Sequence, residues 1–99
     1  MKNIHLDGRA FVDKETTHTE LKEKLDLPEY YGRNLDALWD CLTTDFTPKM
    51  ITIQHPQAIK ENLGRYGPLL LHVFEEIQER NDAITIIYAY DLKEKETEI

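Results

Sequence analysis

Residues 27–42 read Leu-Pro-Glu-Tyr-Tyr-Gly-Arg-Asn-Leu-Asp-Ala-Leu-Trp-Asp-Cys-Leu. This order predicts a tight loop rich in tyrosine, followed by a short helix with Asn34 as its N-cap. Apolar residues recur at the spacing of one buried helix face, as Leu35, Leu38 and Leu42. Core packing does not require two tyrosines, a glycine, a tryptophan and two aspartates so close together. The segment therefore combines a structural element with a candidate binding surface.

The segments on either side of this stretch indicate an α/β domain. Residues 3–6, 50–53 and 83–88 are rich in apolar and β-branched side chains and predict three strands. Helical patterns separate them, over residues 15–25, 34–42, 56–63 and 68–80. Strands that are separated by helices need crossover connections, so the three strands should be parallel. The predicted fold class is α/β, with a three-stranded parallel sheet packed by about four helices.

Local signals predict where two of these helices begin or end. Thr17 and Glu20 have the spacing of a capping box near the start of the first helix. That helix should end at Leu27-Pro28, because a residue that precedes proline is disfavoured in the helical conformation. Asn81 is predicted to stop the last helix in a left-handed conformation.

Length and charge limit the possible partners. The chain has 99 residues and a formal net charge of −7. This length predicts one domain over residues 1–90, followed by an acidic, flexible tail over residues 91–99. The negative charge argues against nucleic acid and anionic membrane as partners, because their phosphates would repel it, and favours a basic partner. Residues 26–50 contain five acids against only Arg33 and Lys49, so acidity is concentrated around the tyrosine-rich loop and its helix.

Cysteine usage and the N-terminus predict the compartment. Cys41 is the single cysteine, so no disulfide can form within the chain, which fits a reducing environment. The N-terminus lacks the apolar segment of a signal peptide, and no apolar run approaches the length of a membrane span. The expectation is a cytoplasmic protein that is monomeric when free.

Asp36 and Asp40 lie four residues apart and therefore one above the other on the predicted helix. Like charges at this spacing cost about 0.2–0.5 kcal/mol. Two solvated acids on an exposed face are one explanation. Trp39 favours a second explanation, a binding surface. Leucines already supply the inward face of the helix, so the indole should be partly exposed. Its fluorescence should then respond to a partner. An aromatic ring beside unpaired carboxylates is the composition of a patch that binds arginine or lysine.

The residues that could carry catalysis or bind a metal are not arranged for either. The four histidines lack the spacing of metal ligands, so neither a metal site nor a cofactor is predicted. Cys41 lies beside core-facing leucines and is assigned to packing rather than to a nucleophilic role. A hydrolase that used Asp36 and Asp40 as general acid and base would need a cleft, and a convex helix face offers none.

Residues 27–42 resemble the segment by which the barstar family of intracellular ribonuclease inhibitors grips its enzyme. The likeness extends from near the N-terminus to about Ala89, and recurs in Val73-Phe74 with Glu76 and in the last strand. Arg33 is the one clear mismatch within residues 27–42, at a position where the family's prototype has an acid. The resemblance implies a barstar-like α/β fold and an inhibitor rather than an enzyme.

The resemblance also implies a mechanism and a partner. In that family the tyrosine loop and the following helix close the active site of a secreted, basic ribonuclease. Asp40 would occupy the phosphate site of the enzyme, while Asp36 and Glu76 would meet further basic residues. Tyr30 would stack against the catalytic histidine. The implied partner-binding residues are Tyr30, Gly32, Asn34, Leu35, Asp36, Trp39, Asp40, Thr43, Val73 and Glu76.

The expected partner is thus a basic, barnase-like ribonuclease, bound in a 1:1 complex. The alternative is a barstar-like interaction module that binds another basic protein without inhibiting a ribonuclease. Titration of a basic ribonuclease with the protein separates the two.

Overall fold

Three parallel strands form the sheet of this protein, whose computed structural model describes residues 1–89. The strands are β1 (Lys2–Asp7), β2 (Lys49–Gln54) and β3 (Ile84–Ala89), in the order β1-β2-β3. Both strand pairs are parallel, with Ile4 opposite Ile51 and Ile51 opposite Ile86. The predicted parallel sheet is confirmed. The predicted tail over residues 91–99 lies outside the described residues.

Two helical pairs connect the strands. A single 3₁₀ turn (Gly8–Ala10) leaves β1 and is followed by α1 (Lys14–Lys24) and α2 (Leu35–Thr43). The second connection contains α3 (Pro56–Leu63) and α4 (Tyr66–Arg80). The four predicted helices are therefore confirmed. Helices α2 and α4, which carry the candidate site, pack against each other.

Alternation along the strands decides which face of the sheet is covered. On β1, Ile4 and Leu6 are buried, whereas His5 between them is exposed. The same pattern continues on β2 and β3, whose buried residues join one core with the apolar faces of the helices. The core residues of the four helices are Leu21, Leu38, Leu42, Ile59, Leu70, Leu71, Phe74 and Ile77.

Helix α1 begins within one residue of its predicted start, but the predicted capping box is wrong. Asp13 is the N-cap, and its carboxylate accepts a hydrogen bond from the backbone N–H of Thr16 at 2.7 Å. Thr17 instead lies inside the helix and is buried. An aspartate caps a helix as well as a threonine does, so the helix begins ahead of the predicted box.

The end of α1 also has another cause than the one predicted. Asp26 adopts the left-handed conformation, with φ 54°. The N–H of Asp26 donates to the carbonyl of Glu23, and the N–H of Leu27 donates to the carbonyl of Lys22 at 2.9 Å. This pair of bonds is the Schellman arrangement. The helix therefore ends before Pro28 can influence it.

Asn81 ends α4 in an extended rather than a left-handed conformation, with φ −136°. Its buried side chain donates from Nδ2 to the carbonyls of Leu42 and Asp45, both at 2.8 Å. Its Oδ1 accepts from the N–H of Ala83 at 2.9 Å. The prediction of a left-handed stop is thus wrong, because the side chain is used to join the end of α4 to the end of α2.

Candidate interaction surface

The tyrosine loop, residues 28–33, places two adjacent tyrosines in opposite environments. Tyr30 is 84 % exposed, whereas Tyr31 is 5 % exposed. The N–H of Tyr31 donates to the carbonyl of Pro28 at 3.0 Å and closes a turn. Tyr31 therefore anchors the loop in the core, and Tyr30 stands in solvent, where a partner can reach it.

Tyr31 is held by His18, a buried residue of α1. The Nδ1 atom of His18 lies 2.6 Å from the Tyr31 hydroxyl, and its Nε2 lies 2.6 Å from the Tyr66 hydroxyl. The ring thus ties the tyrosine loop to α4. Burial lowers the pKa of His18, and the charge of Arg33 lowers it further. Burial likewise raises the pKa of the Tyr31 and Tyr66 hydroxyls.

The lowered pKa of His18 predicts a stability loss in mild acid. Below the ordinary histidine pKa of about 6.5, the unfolded chain takes up a proton at this site that the folded protein resists. The unfolded state then binds more protons, so stability falls as pH falls. The free energy of unfolding in urea should therefore be lower at pH 5.5 than at pH 7.5. His18→Gln should reduce this difference, whereas His5→Gln, on the exposed strand position, should leave it unchanged. An equal pH dependence in the two variants would contradict the assignment.

The junction between the tyrosine loop and α2 is set by Asn34 and Gly32. Asn34 is the predicted N-cap, and its Oδ1 accepts from the N–H of Ala37 at 2.7 Å. Its Nδ2 donates to the carbonyl of Gly32 at 3.3 Å. A Cβ added at Gly32 would lie 3.2 Å from the Cβ of Ala37, which is a tight contact. The loop can therefore pack closely on the first turn of α2 only if residue 32 is small.

Helix α2 presents two carboxylates to solvent, which we call the acidic ridge (Asp36 and Asp40). Leu38 and Leu42 are buried on the opposite side of the helix and fix its orientation. Leu35 packs against the core with them, as predicted, but is half-buried rather than fully buried. Both ridge residues are exposed. The helix therefore divides into a core face and an acidic outer face, as its sequence predicts.

The acidic ridge is not neutralised within the described part of the chain. Neither ridge carboxylate makes a hydrogen bond or an ion pair there. Two other acids of the same region are paired, because Glu29 meets Lys22 at 3.1 Å and Asp45 meets the buried Lys49. Of the five acids in residues 26–50, the two ridge residues and the exposed Asp26 are therefore the ones without an ion pair in the described part of the chain. The like charges of Asp36 and Asp40 are unfavourable at this spacing, and a cationic group of a partner would offset that cost.

Trp39 lies between the core and the ridge. Its ring is half-buried and packs against the core, which confirms the predicted partial exposure. The guanidinium carbon of Arg80 lies 5.5 Å from the ring centroid, within the range of a cation–π contact. The sequence pattern does not predict this contact, which joins the end of α4 to α2. One cation of the chain itself therefore stands at the edge of the candidate surface.

The remaining predicted contact residues lie at the end of α2 and on α4. Thr43 is half-buried, and its hydroxyl donates to the carbonyl of Trp39 at 2.7 Å. Val73 is also half-buried and packs against the core. The Oε2 atom of Glu76 lies 3.4 Å from Nε2 of His72, a pair that is ionic only when the histidine is protonated. Because α2 packs on α4, these residues belong to neighbouring elements.

Arg33 is held against α1. Its backbone is left-handed, with φ 58°, a conformation that is uncommon outside glycine. Its Nη2 donates to the carbonyl of Glu15 at 3.1 Å and to the hydroxyl of Thr19 at 2.6 Å. The guanidinium therefore lies beside α1 and makes no ion pair with the ridge.

Residues 1–89 give little support to a reactive thiol, a metal site or a membrane span. Burial, and then the charge of Asp40, raises the pKa of the half-buried Cys41 thiol, so the nucleophilic thiolate is disfavoured. No group of three or more potential metal ligands occurs in this range. Within the same residues, none of the helices has the length and apolar character that crossing a membrane requires.

Comparison with known proteins shows a family match and a similar curated protein. The sequence fits the model of the family described as Barstar (barnase inhibitor) over residues 1–91. It is also 47 % identical over 81 residues to a protein of Bacillus subtilis (strain 168) that is named "Putative ribonuclease inhibitor YrdF". That alignment covers 80 % of this chain and 88 % of the relative. The family match spans every helix and strand given above.

Proposed function

This chain belongs to the barstar family, and we propose that it inhibits a basic, barnase-like ribonuclease by covering the active site of that enzyme. The family description and the name of the relative both support inhibition of a ribonuclease. The observation that carries the proposal is the acidic ridge, which is exposed and has no ionic partner among the described residues. A surface of this kind is complementary to a site that binds RNA phosphates.

The proposed contact surface has two parts. The tyrosine loop and α2 form the first part, and one side of α4 forms the second. The residues assigned to the contact are Tyr30, Gly32, Asn34, Leu35, Asp36, Trp39, Asp40, Thr43, Val73 and Glu76. Tyr30 offers a large exposed ring, which can stack against an imidazole of the enzyme.

The mechanism follows from the charges of a ribonuclease active site. Such a site holds a phosphate between cationic side chains. The carboxylate of Asp40 is negative, as the phosphate is, and could take its place. Charge-assisted hydrogen bonds to arginine are short and strong, and they become stronger when water is excluded. Asp36 and Glu76 would meet further cations at the edge of the site. RNA can then no longer enter, and the inhibitor itself undergoes no chemical change.

Added salt should affect the association rate and the dissociation rate of the complex differently. The net charge of −7 attracts a basic enzyme over distances of about 10 Å at 0.1 M salt, and this attraction is screened at higher salt. Association should therefore slow as salt is added. Dissociation should change less, because the pairs formed by the ridge are buried in the complex.

The compartment and the stoichiometry of the complex are also proposed. The inhibitor is proposed to act in the cytoplasm, on enzyme that has not left the producing cell. It is proposed to be monomeric when free and to bind one ribonuclease. Its acidity disfavours nucleic acid as a competing partner.

Titration of barnase-like ribonucleases with the purified protein tests the proposal. At low salt, RNA cleavage by at least one enzyme should decline linearly and reach zero at one inhibitor per enzyme. If no basic ribonuclease is inhibited under these conditions, the proposal fails. A basic protein that is captured without any loss of ribonuclease activity would instead indicate an interaction module.

A further inference from the structure

A basic groove adjoins the N-cap of α2, the helix that carries the acidic ridge. It has a volume of about 470 Å³ and is lined by Lys14, Glu15, His18, Arg33, Asn34 and Tyr66. It runs between the start of α1 and the tyrosine loop. Arg33 and Asn34 connect the loop to α2, so the groove is continuous with the proposed contact surface. A partner that covers Tyr30 and Asn34 would also meet this groove.

The two cations of the groove have no carboxylate partner in the described part of the chain. The Nζ atom of Lys14 lies 4.7 Å from the ring centroid of Tyr66. Arg33 uses Nη2 for the carbonyl of Glu15 and the hydroxyl of Thr19. Its Nε and Nη1 groups make no hydrogen bond among residues 1–89. The chain itself therefore orients the Arg33 side chain, and its Nε and Nη1 groups can still donate hydrogen bonds to a partner.

The groove contains one acid, and its charge is nevertheless positive. Glu15 lines it, but no ion pair joins Glu15 to Lys14 or Arg33 in the described structure. His18 is bonded to two hydroxyls, and its lowered pKa keeps it uncharged near neutrality. Two cations and one acid leave a net charge of about +1 from these side chains. This sign is opposite to that of the acidic ridge on the adjoining helix.

These charges constrain the partner. If the whole contact surface of the ribonuclease were basic, its positive side chains would lie next to Lys14 and Arg33. This repulsion is unfavourable in a region from which water is excluded. An acidic side chain on the enzyme would instead find the free donors of Arg33 and the ammonium of Lys14. A carboxylate fits these donors, and it is the anionic group that the side chains of a protein surface supply.

We propose that the groove formed by Lys14 and Arg33 receives an aspartate or glutamate side chain of the partner ribonuclease. The partner surface is then basic where it meets the ridge and acidic where it meets the groove. This inference rests on the proposed function, because the ridge must first seat the enzyme. It adds a specificity determinant, since a basic ribonuclease without the matching acid would bind less well.

Acetate serves as the probe of the groove itself. Titration of the full-length protein with sodium acetate, at constant ionic strength, should shift the Nε–H resonance of Arg33 in a saturable way. The Nε–H of Arg80, which stacks on Trp39, serves as the internal control and should show no saturable shift. Lys14→Gln should weaken the response at Arg33. Absence of a saturable shift at Arg33 overturns the inference, and it does so whether or not any ribonuclease is inhibited.

The sign of a charge-removal effect tests the role in binding. Long-range electrostatics alone predict that the loss of any cation strengthens inhibition of a basic enzyme. The groove predicts the opposite for Arg33→Gln, which should weaken inhibition at least tenfold, with a smaller loss for Lys14→Gln. Lys24→Gln removes the same charge about 15 Å further along α1 and should not weaken inhibition. If Arg33→Gln strengthens inhibition as Lys24→Gln does, the inference is overturned. If acetate binds but the wild type inhibits no ribonuclease, the proposed function fails while the carboxylate site stands.

Discussion

Asp40→Asn is expected to cause the largest loss of ribonuclease inhibition among single changes in the acidic ridge. The change keeps the size and shape of the side chain, removes the charge and replaces one acceptor oxygen by an NH2 donor. The cations that meet Asp40 in the enzyme would then be buried without a counter-charge, which costs about 2–5 kcal/mol. This range corresponds to an increase of about 30- to 5000-fold in the inhibition constant. The measurement is the inhibition constant for RNA cleavage, taken at fixed pH and salt.

A matched variant separates this effect from the loss of a negative charge in general. Glu61→Gln lies on an exposed position of α3, outside the proposed surface. It should change the inhibition constant by less than about threefold, the range expected when one exposed charge is removed. Equal losses for Asp40→Asn and Glu61→Gln would mean that only the total charge matters, and would remove Asp40 from its assigned role.

Asn81→Ala is expected to cause a large loss of stability. Its side chain is buried and makes three hydrogen bonds to backbone groups. Truncation leaves two carbonyls and one N–H without these partners, at roughly 1 kcal/mol each, or about 3 kcal/mol together. Proteins of this size are stable by only about 5–15 kcal/mol. Urea denaturation should therefore show a midpoint at clearly lower urea concentration.

The structural consequence of Asn81→Ala also bears on the site. Two of the lost bonds hold the carbonyls of Leu42 and Asp45, at and beyond the end of α2. The control is Asn62→Ala, an exposed position on α3, which should change stability by less than about 0.5 kcal/mol. A similar small change for Asn81→Ala would show that water replaces its hydrogen bonds and that the residue does not secure α2.

The sequence predicts those features that depend on local patterns. Alternating β-branched residues identify the strands, and Asn34 identifies the start of α2, because one side chain and the residues that follow it determine the cap. The partial exposure of Trp39 also follows locally, since the leucines of α2 occupy the inward face. The acidic ridge can be predicted for the same reason.

Contacts between distant segments could not be predicted in this way. His18 bonds to residues 13 and 48 positions away in the chain, and no spacing in the sequence marks such a cluster. Arg80 reaches Trp39 only because α4 packs on α2. Asn81 has the residue type of a left-handed stop, but tertiary hydrogen bonds decide its conformation. The basic groove is missed for a similar reason, as Lys14 and Arg33 belong to different elements.

Competition with an active-site ligand shows whether the acidic ridge occupies the phosphate site of the ribonuclease. The fluorescence of Trp39 should change when the protein binds the ribonuclease, and the apparent Kd can be measured at increasing concentrations of a mononucleotide that occupies the enzyme's phosphate site. The apparent Kd should rise linearly with nucleotide concentration, because the ridge and the phosphate cannot occupy the site together. An apparent Kd that does not depend on the nucleotide would show that the protein binds away from the phosphate site and does not block it with the ridge.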